Sequence, residues 1–200
     1  MKESEECEFS IKLLIIGDSS VGKTNFISKF VDDKFIINHM ATTGMDFKTK
    51  IIEINENKVK VQIWDTAGEE KYRSITKSLF LKVQGILLFY DITNEDSFNN
   101  LNKWIRIIKD GCGTHTPVLI VGNKNDLEDI RKVDKNAALE YAKREMMDYI
   151  ETSSKTGDNV QSSITIIARK ILNNFQNSNQ LSFTLDSTTE YQKKKKCCPK

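Results

Sequence analysis

The sequence predicts an α/β domain built on a six-stranded, mostly parallel sheet with helices on both faces. Short apolar runs alternate with amphipathic stretches along residues 9–175, which is the pattern of repeated strand–helix units. A turn signal between two consecutive apolar runs predicts one antiparallel pair at an edge of the sheet. The length of 200 residues suits one such domain followed by a tail.

Six apolar runs are predicted to form the strands of this sheet. They cover residues 9–16, 47–54, 59–64, 85–90, 118–121 and 148–151. The second and third runs flank a four-residue turn signal, so these two strands are expected to pair as an antiparallel hairpin. The turn consists of Asn55, Glu56, Asn57 and Lys58.

Five amphipathic stretches are predicted to form the helices. They cover residues 23–30, 74–82, 95–109, 135–145 and 159–175. In an open parallel sheet the loops gather at the carboxyl ends of the strands, so a ligand is expected at that edge.

The chain divides into a short N-terminus, one domain and a tail. We expect residues 1–8 to be disordered, residues 9–175 to form the domain and residues 176–200 to form a flexible tail. The tail is rich in Asn, Gln, Ser and Thr and has too few apolar residues to order itself. It ends in four lysines followed by two cysteines. The longest apolar run, at residues 85–90, is far too short to span a bilayer.

Charge and cysteine usage exclude several classes of protein. The formal net charge of +2 gives no global electrostatic argument for nucleic-acid binding. The four cysteines are too few and too unevenly placed for a disulfide framework, so a reduced, intracellular setting fits best. His39 and His115 stand apart from other metal-ligating residues, which excludes the usual zinc spacing.

A glycine-rich loop directly follows the first predicted strand and precedes the first predicted helix. It fits G-x-x-x-x-G-K-[ST], in the context that a phosphate-binding loop requires. Its backbone N–H groups and the helix N-terminus favour a polyanion, the lysine can reach the β- and γ-phosphates, and the threonine hydroxyl can bind Mg²⁺. The alternative is a chance glycine loop. The loop consists of Gly17, Asp18, Ser19, Ser20, Val21, Gly22, Lys23 and Thr24.

The segment 123–126 narrows the choice among kinases, ATPases and GTPases that a phosphate loop leaves open. The carboxylate of Asp126 accepts hydrogen bonds only, and guanine presents two donors side by side where adenine does not. A site built for paired hydrogen bonds rejects a ligand that lacks them. Asn123 can brace the loop and the base, and the stem of Lys124 can lie along the ring. A kinase or an ATPase remains open if this segment does not select guanine.

A third element follows the third predicted strand. Asp65 ends that strand and is placed to hold Mg²⁺ directly or through a water. Gly68, three residues later, leaves a backbone N–H to meet the γ-phosphate. The alternative for Asp65 is an ordinary strand-end turn residue.

With these motifs the chain resembles the Ras superfamily of small GTPases, and within it the Rab family, over about residues 9–175. The Rab resemblance rests on the segments 44–47, 71–75 and 90–93 and on the paired cysteines of the tail. It implies a P-loop NTPase G domain that is monomeric, binds GTP or GDP with Mg²⁺, and hydrolyses GTP. Segments 41–47 and 65–68 are similar to the two switches, and segment 151–155 is similar to the last guanine motif.

The resemblance also implies roles for individual residues. Thr42 is the second Mg²⁺ hydroxyl ligand beside Thr24 and Asp65, and Phe35 packs on the base. The catalytic residues that it implies are Lys23, Thr42, Gly68 and Glu69. The remaining implied nucleotide contacts are Asn25, Leu127, Ser153, the Ser154 backbone N–H and Lys155.

Glu69 is the largest departure from the family pattern, which usually has Gln there to orient the attacking water. Repulsion from the γ-phosphate could push the carboxylate away and slow hydrolysis. Alternatively, the phosphate could raise the pKa of Glu69, and the group could serve as a base. A solvated switch residue with neither role is the third reading. A GTP-binding module with negligible intrinsic hydrolysis therefore stays open as an alternative function.

The tail resembles the double-cysteine ending of some Rab proteins, which implies geranylgeranyl groups on Cys197 and Cys198. Two lipid chains, or one chain and a basic patch such as residues 193–196, give stable anchoring. Solvated lysines and unmodified thiols are the alternative. The resemblance implies localisation at the cytoplasmic face of an intracellular membrane, with cycling through the cytosol. The implied partners are a nucleotide exchange factor, a GTPase-activating protein, a prenylation escort, a GDP-dissociation inhibitor, and effectors at Phe47, Trp64 and Leu79.

Overall fold

A computed structural model of the chain describes residues 7, 9–36, 45–66, 80, 82–112 and 116–175. The strands are β1 (Phe9–Gly17), β2 (Met45–Ile54), β3 (Asn57–Thr66), β4 (Gly85–Asp91), β5 (Val118–Asn123) and β6 (Asp148–Thr152). The described α-helices are α1 (Lys23–Asp32), α2 (Glu95–Asn99), α3 (Leu101–Gly111), α4 (Lys135–Arg144) and α5 (residues 160–175), with a 3₁₀ helix at Asn125–Ile130.

The six strands form one sheet in the order β2-β3-β1-β4-β5-β6. The pair β2–β3 is antiparallel, and every other neighbouring pair is parallel. Both the mostly parallel sheet and its antiparallel edge strand are therefore confirmed. Because β1 lies in the middle and β3, β4 and β5 run parallel to it, the loops that follow these strands meet at one edge.

The hairpin between β2 and β3 is tighter than the sequence predicts. Ile54 pairs with Asn57, which leaves only Asn55 and Glu56 in the turn. These two residues have φ values of 50° and 67°. Two positive φ values are the mark of a type I′ turn, whose twist matches that of the strands, so the pairing continues into the predicted turn.

The core lies on both faces of the sheet because successive side chains of a strand point to opposite faces. Leu13 and Ile15 of β1 belong to a cluster with Phe26 of α1 and residues of α5. Leu14 and Ile16 belong to a second cluster with residues of α3 and α4. A strand buried on both faces has no polar side to expose, which explains the continuous apolar runs.

The predicted helix at residues 95–109 is two helices, α2 and α3, that meet at Asn100. Asn94 begins α2, and its side chain accepts a hydrogen bond from the Ser97 N–H at 3.3 Å. Asn100 keeps φ −70° and ψ −10°. This ψ differs from the value of about −42° that is typical of an α-helix, and Asn100 belongs to neither helix.

Several predictions concern parts of the chain outside the described residues. The predicted disorder of residues 1–8 and 176–200 and most of the predicted helix at residues 74–82 fall there. Among the residues that are described, no helix has both the length and the apolar character needed to cross a membrane.

Candidate nucleotide-binding site

The loop between β1 and α1 approaches its neighbours so closely that two positions require glycine. Gly17 has φ 142°, and a Cβ there would overlap the carbonyl oxygen of Phe89 on β4. Gly22 has φ 97°, and a Cβ there would overlap the side-chain amide of Asn123. L-residues with a side chain rarely adopt such φ values. The loop is thus locked between two strands, and the first N–H groups of α1 open into the same space.

Lys23 is buried but keeps its ammonium at the loop. Its side chain is 6% exposed, and Nζ donates hydrogen bonds to the carbonyl oxygens of Gly17 at 2.8 Å and Asp18 at 2.6 Å. Burial lowers the pKa of Lys23 to about 8, against the opposing effect of the Asp65 and Asp18 charges. Burial of a cation is unfavourable unless an anion compensates for it, which a bound phosphate would do.

Thr24, in the first turn of α1, contacts Asp65 near the end of β3. The Thr24 hydroxyl donates a hydrogen bond to Oδ2 of Asp65 at 2.6 Å, and Asp65 is 5% exposed. A hydroxyl and a carboxylate side by side are hard oxygen donors, the set that Mg²⁺ prefers. These two residues therefore fit the magnesium site that the sequence predicts, in which both are ligands.

Asn123 connects all parts of the site from the end of β5. It is completely buried, and its Nδ2 donates a hydrogen bond to the Val21 carbonyl oxygen at 2.8 Å. Its Oδ1 accepts from the hydroxyls of Thr152 at 3.1 Å and Ser154 at 3.0 Å, and from the Ser154 N–H at 3.2 Å. One amide thus joins the phosphate loop to the loop after β6. The Ser154 N–H, which the resemblance places near the base, donates its hydrogen bond to Oδ1 of Asn123.

Ser153 orients Asp126 from the neighbouring loop. Its hydroxyl donates to Oδ1 of Asp126 at 2.6 Å and accepts from the N–H groups of Lys155 at 3.1 Å and Thr156 at 3.0 Å. The Lys155 ammonium lies 4.0 Å from Oδ2 of Asp126. Because the hydroxyl proton is committed to Asp126, that carboxylate is fixed in one orientation. Ser153 thus contributes to the site by positioning Asp126.

Asp91 forms an ion pair with Lys124, and the sequence motifs do not predict this role. The Lys124 ammonium lies 2.6 Å from Oδ2 of Asp91, whose side chain is 8% exposed, while Oδ1 accepts from the N–H and hydroxyl of Thr93. Lys124 itself has φ 69°, an uncommon value for a lysine. The position of Asp91 at the end of β4, beside β5, is the signal that could have revealed it.

Asn25 places Phe35 at the rim of the site. Its side chain pairs with the backbone of Ile36, accepting from the N–H at 3.2 Å and donating to the carbonyl oxygen at 3.3 Å. This pairing ties the segment after α1 back to the helix. Phe35 is 40% exposed, and its side chain borders the cavity of this site.

Ten residues of the site line a cavity of about 500 Å³. A volume of this size is typical of a small-molecule or cofactor site. Every residue of the lining is one that the sequence predicts to contact the cofactor. The lining consists of Ser20, Gly22, Asn25, Phe35, Asn123, Lys124, Asp126, Leu127, Ser154 and Lys155.

A buried ionic network lies behind the last guanine motif. Glu151 is 7% exposed and accepts two hydrogen bonds from Arg131, at 2.8 and 3.0 Å, and one from the Tyr149 hydroxyl at 2.7 Å. Two carboxylates, those of Glu128 and Glu151, raise the pKa of Arg131. The network fixes the strand from which Ser153 and Ser154 emerge.

Some predicted residues lie outside the part of the chain that the structure describes: Thr42, Gly68, Glu69, Leu79, Cys197 and Cys198. Of the three predicted effector residues, Phe47 and Trp64 are described. Their ring centroids are 5.0 Å apart, and Phe47 is 52% exposed.

Known proteins are similar to this chain over most of its length. The sequence model of the Ras family matches residues 12–173. Ras-related protein Rab-13 of Canis lupus familiaris is 42% identical over 80% of this chain and 79% of its own. Ras-related protein RABA5b of Arabidopsis thaliana is 41% identical over 84% and 77%, and Ras-related protein Rab-8B of Homo sapiens is 42% identical over 82% and 80%. The matched region includes the whole cavity.

Proposed function

The chain belongs to the Ras family and, within it, to the Rab proteins, and on this premise we propose that it is a membrane-anchored GTP/GDP switch that regulates intracellular vesicle trafficking. Members of this family hydrolyse GTP to GDP and phosphate, so the chain is a small GTPase. The observation that carries the proposal is the position of Asn123. Its buried amide joins a phosphate loop to a carboxylate-bearing loop suited to guanine around one cavity.

In this proposal the binding residues divide the nucleotide between them. Lys23 and the N–H groups at the start of α1 hold the phosphates, and Asp126 accepts the two donors of guanine. Phe35 and the stem of Lys124 cover the base. Thr24, Asp65 and Thr42 would hold Mg²⁺, which supplies positive charge next to the transferred phosphoryl group. Lys23 stabilises the charge that develops as the bond to the γ-phosphate breaks.

The switch follows from contacts that only GTP provides. The γ-phosphate would hold the segments around Thr42 and Gly68, and hydrolysis would release both. Effectors would recognise the ordered state beside the exposed pair Phe47 and Trp64. An exchange factor, an activating protein, a prenylation escort and a GDP-dissociation inhibitor would complete the cycle.

The rate of the resetting step depends on Glu69. We expect Glu69→Gln to raise the single-turnover rate of GTP hydrolysis by about tenfold or more, because the amide can orient the attacking water without facing the γ-phosphate as an anion. The measurement is product formation from purified protein loaded with GTP and Mg²⁺. Glu70→Gln is the matched control and should leave the rate unchanged.

Either result of that experiment assigns a role to Glu69. A native protein without measurable hydrolysis, beside an active variant, would favour the alternative function, a GTP-binding module that resets only with a partner. A native rate equal to or above that of the variant would instead make Glu69 tolerated or active in hydrolysis.

Anchoring depends in this proposal on the tail cysteines. We expect the double variant Cys197→Ser, Cys198→Ser to move the protein from the membrane fraction of cells to the cytosol, because the lysines alone give no stable anchoring. Each single variant should remain partly on membranes through one lipid and the basic run at residues 193–196. Cys7→Ser is the control. A double variant that sediments with membranes like the native protein would contradict lipid anchoring at this site.

A further inference from the structure

The side-chain carboxylate of Asp18, in the phosphate loop, accepts hydrogen bonds from α3 and from the residue that precedes this helix. Oδ1 accepts a hydrogen bond from the indole N–H of Trp104 at 2.8 Å, and Oδ2 accepts one from the side-chain amide of Asn100 at 2.7 Å. These partners lie 82 and 86 positions away in the sequence. Each carboxylate oxygen therefore has its own neutral donor on one element, which fixes both the position and the orientation of the group.

The backbone of Asp18 is part of the phosphate-binding machinery. Its carbonyl oxygen accepts a hydrogen bond from the Lys23 ammonium at 2.6 Å. Its side chain and its main chain thus connect α3 to the lysine that we assign to the phosphates. Because hydrogen bonds to a charged group are short and strong, this link can transmit the position of α3 to the loop.

Asn100 and Trp104 are well placed to hold such a link. Asn100 lies between α2 and α3, where its ψ is −10°. Its side chain extends from this position to the phosphate loop and donates to Asp18. Trp104 lies one turn later on α3 and packs against the second core cluster. Neither residue lines the cavity of about 500 Å³, and both reach the phosphate loop through the carboxylate of Asp18.

We propose that Asn100 and Trp104 are positioning residues for nucleotide binding, acting through the carboxylate of Asp18 to hold the phosphate loop and Lys23 ready for the anion. The proposal rests on the function proposed above and adds residues to that site. Without the tether the loop leaves its binding arrangement more often, so bound nucleotide escapes faster and the affinity falls. A hydrogen bond to a charged group corresponds to about a tenfold change in an equilibrium constant.

The test compares nucleotide release with chemistry in the full-length protein. We expect Trp104→Phe and Asn100→Ala each to speed release of fluorescent GDP about tenfold. Single-turnover hydrolysis of bound GTP should stay within about twofold of the native rate, because a single-turnover measurement follows only protein that retains its nucleotide. Asn102→Ala is the matched control, since it removes a nearby asparagine whose side chain bonds to Asn99 and Tyr141 instead of Asp18.

A double-variant cycle separates positioning from packing. If Trp104 acts through Asp18, Trp104→Phe should change release by less than about twofold when added to Asp18→Ala. Equal effects in both backgrounds, or native release rates in Trp104→Phe and Asn100→Ala, would overturn the tether. A comparable acceleration by Asn102→Ala would also overturn it. A native protein that binds no guanine nucleotide would overturn the proposed function and the tether together, an outcome distinct from all of these.

Discussion

Asp126→Ala is expected to lower the affinity for GDP about a thousandfold or more and to abolish the preference for GDP over ADP. The carboxylate is the acceptor for the two donors of guanine, and the Ser153 hydroxyl fixes its orientation at 2.6 Å. Alanine leaves both donors of the bound base without a partner in a desolvated site, which is the costly way to break a hydrogen bond. The measurement is a titration with fluorescent GDP, followed by competition with unlabelled GDP and ADP.

A matched control for this variant lies at the far end of a neighbouring strand. Asp148 begins β6, and its carboxylate pairs with Lys170 at 2.7 Å on the surface. Asp148→Ala removes the same group and should leave GDP binding within about twofold, because exposed ion pairs contribute little. A variant Asp126→Ala that binds GDP within about tenfold of the native protein, or that still rejects ADP, would contradict guanine recognition by Asp126.

The second large effect is expected for Lys23→Met, which keeps the length of the side chain and removes its charge. Affinity for GTP and GDP should fall by about a hundredfold to a thousandfold, since losing one partner of a buried charge pair is expensive. Affinity for guanosine should change little, because guanosine has no phosphate for the lysine to contact. Competition of each compound against fluorescent GDP provides the comparison.

The stability of the nucleotide-free protein gives an independent check on Lys23. Lys23 is 6% exposed, and burial lowers its pKa to about 8. Burial of this cation is unfavourable and is only partly offset by the Asp65 and Asp18 charges, so Lys23→Met should not lower the free energy of unfolding in urea by more than about 1 kcal/mol. Lys170→Met is the control, with native binding and native stability. An equal loss of guanosine and GTP affinity would mean that Lys23 supports the fold instead of the phosphates.

The sequence predicts the sheet well because the sheet obeys local rules. The continuous apolar run in β1 places Leu13 and Ile15 on one face and Leu14 and Ile16 on the other, and both faces are covered. The antiparallel pair β2–β3 follows from one turn signal. The turn was predicted two residues too long, because Asn57 and Lys58 are typical of turns yet continue the ladder of β3.

The cavity could be predicted because its motifs are contiguous in sequence and end at neighbouring strands. The partners of these motifs could not, since they depend on side chains brought together only by the fold. Asp18 meets Trp104 from 86 positions away, and nothing in the local pattern selects that partner. Asp91 is intermediate. Its position at a strand end could be read from the sequence, but its pairing with Lys124 requires the register of β4 and β5.

The roles of Thr42, Gly68, Glu69 and the tail cysteines stay predictions, since these residues lie outside the described part of the chain. The roles of switch residues are also the hardest to predict from sequence. Their function depends on which nucleotide is bound, and the sequence alone leaves two opposed roles for Glu69, an anion that the γ-phosphate repels or a base.

The most direct test of the account is the identity of the nucleotide that the purified protein carries. The protein is denatured after purification in Mg²⁺, and the released small molecules are separated and quantified. The account predicts about one guanine nucleotide per chain, because the buried Lys23 and the paired acceptors of Asp126 together favour retention. Adenine nucleotide in its place, or no bound guanine nucleotide even after incubation with excess GTP and Mg²⁺, would contradict the assignment of this cavity as a guanine-nucleotide site.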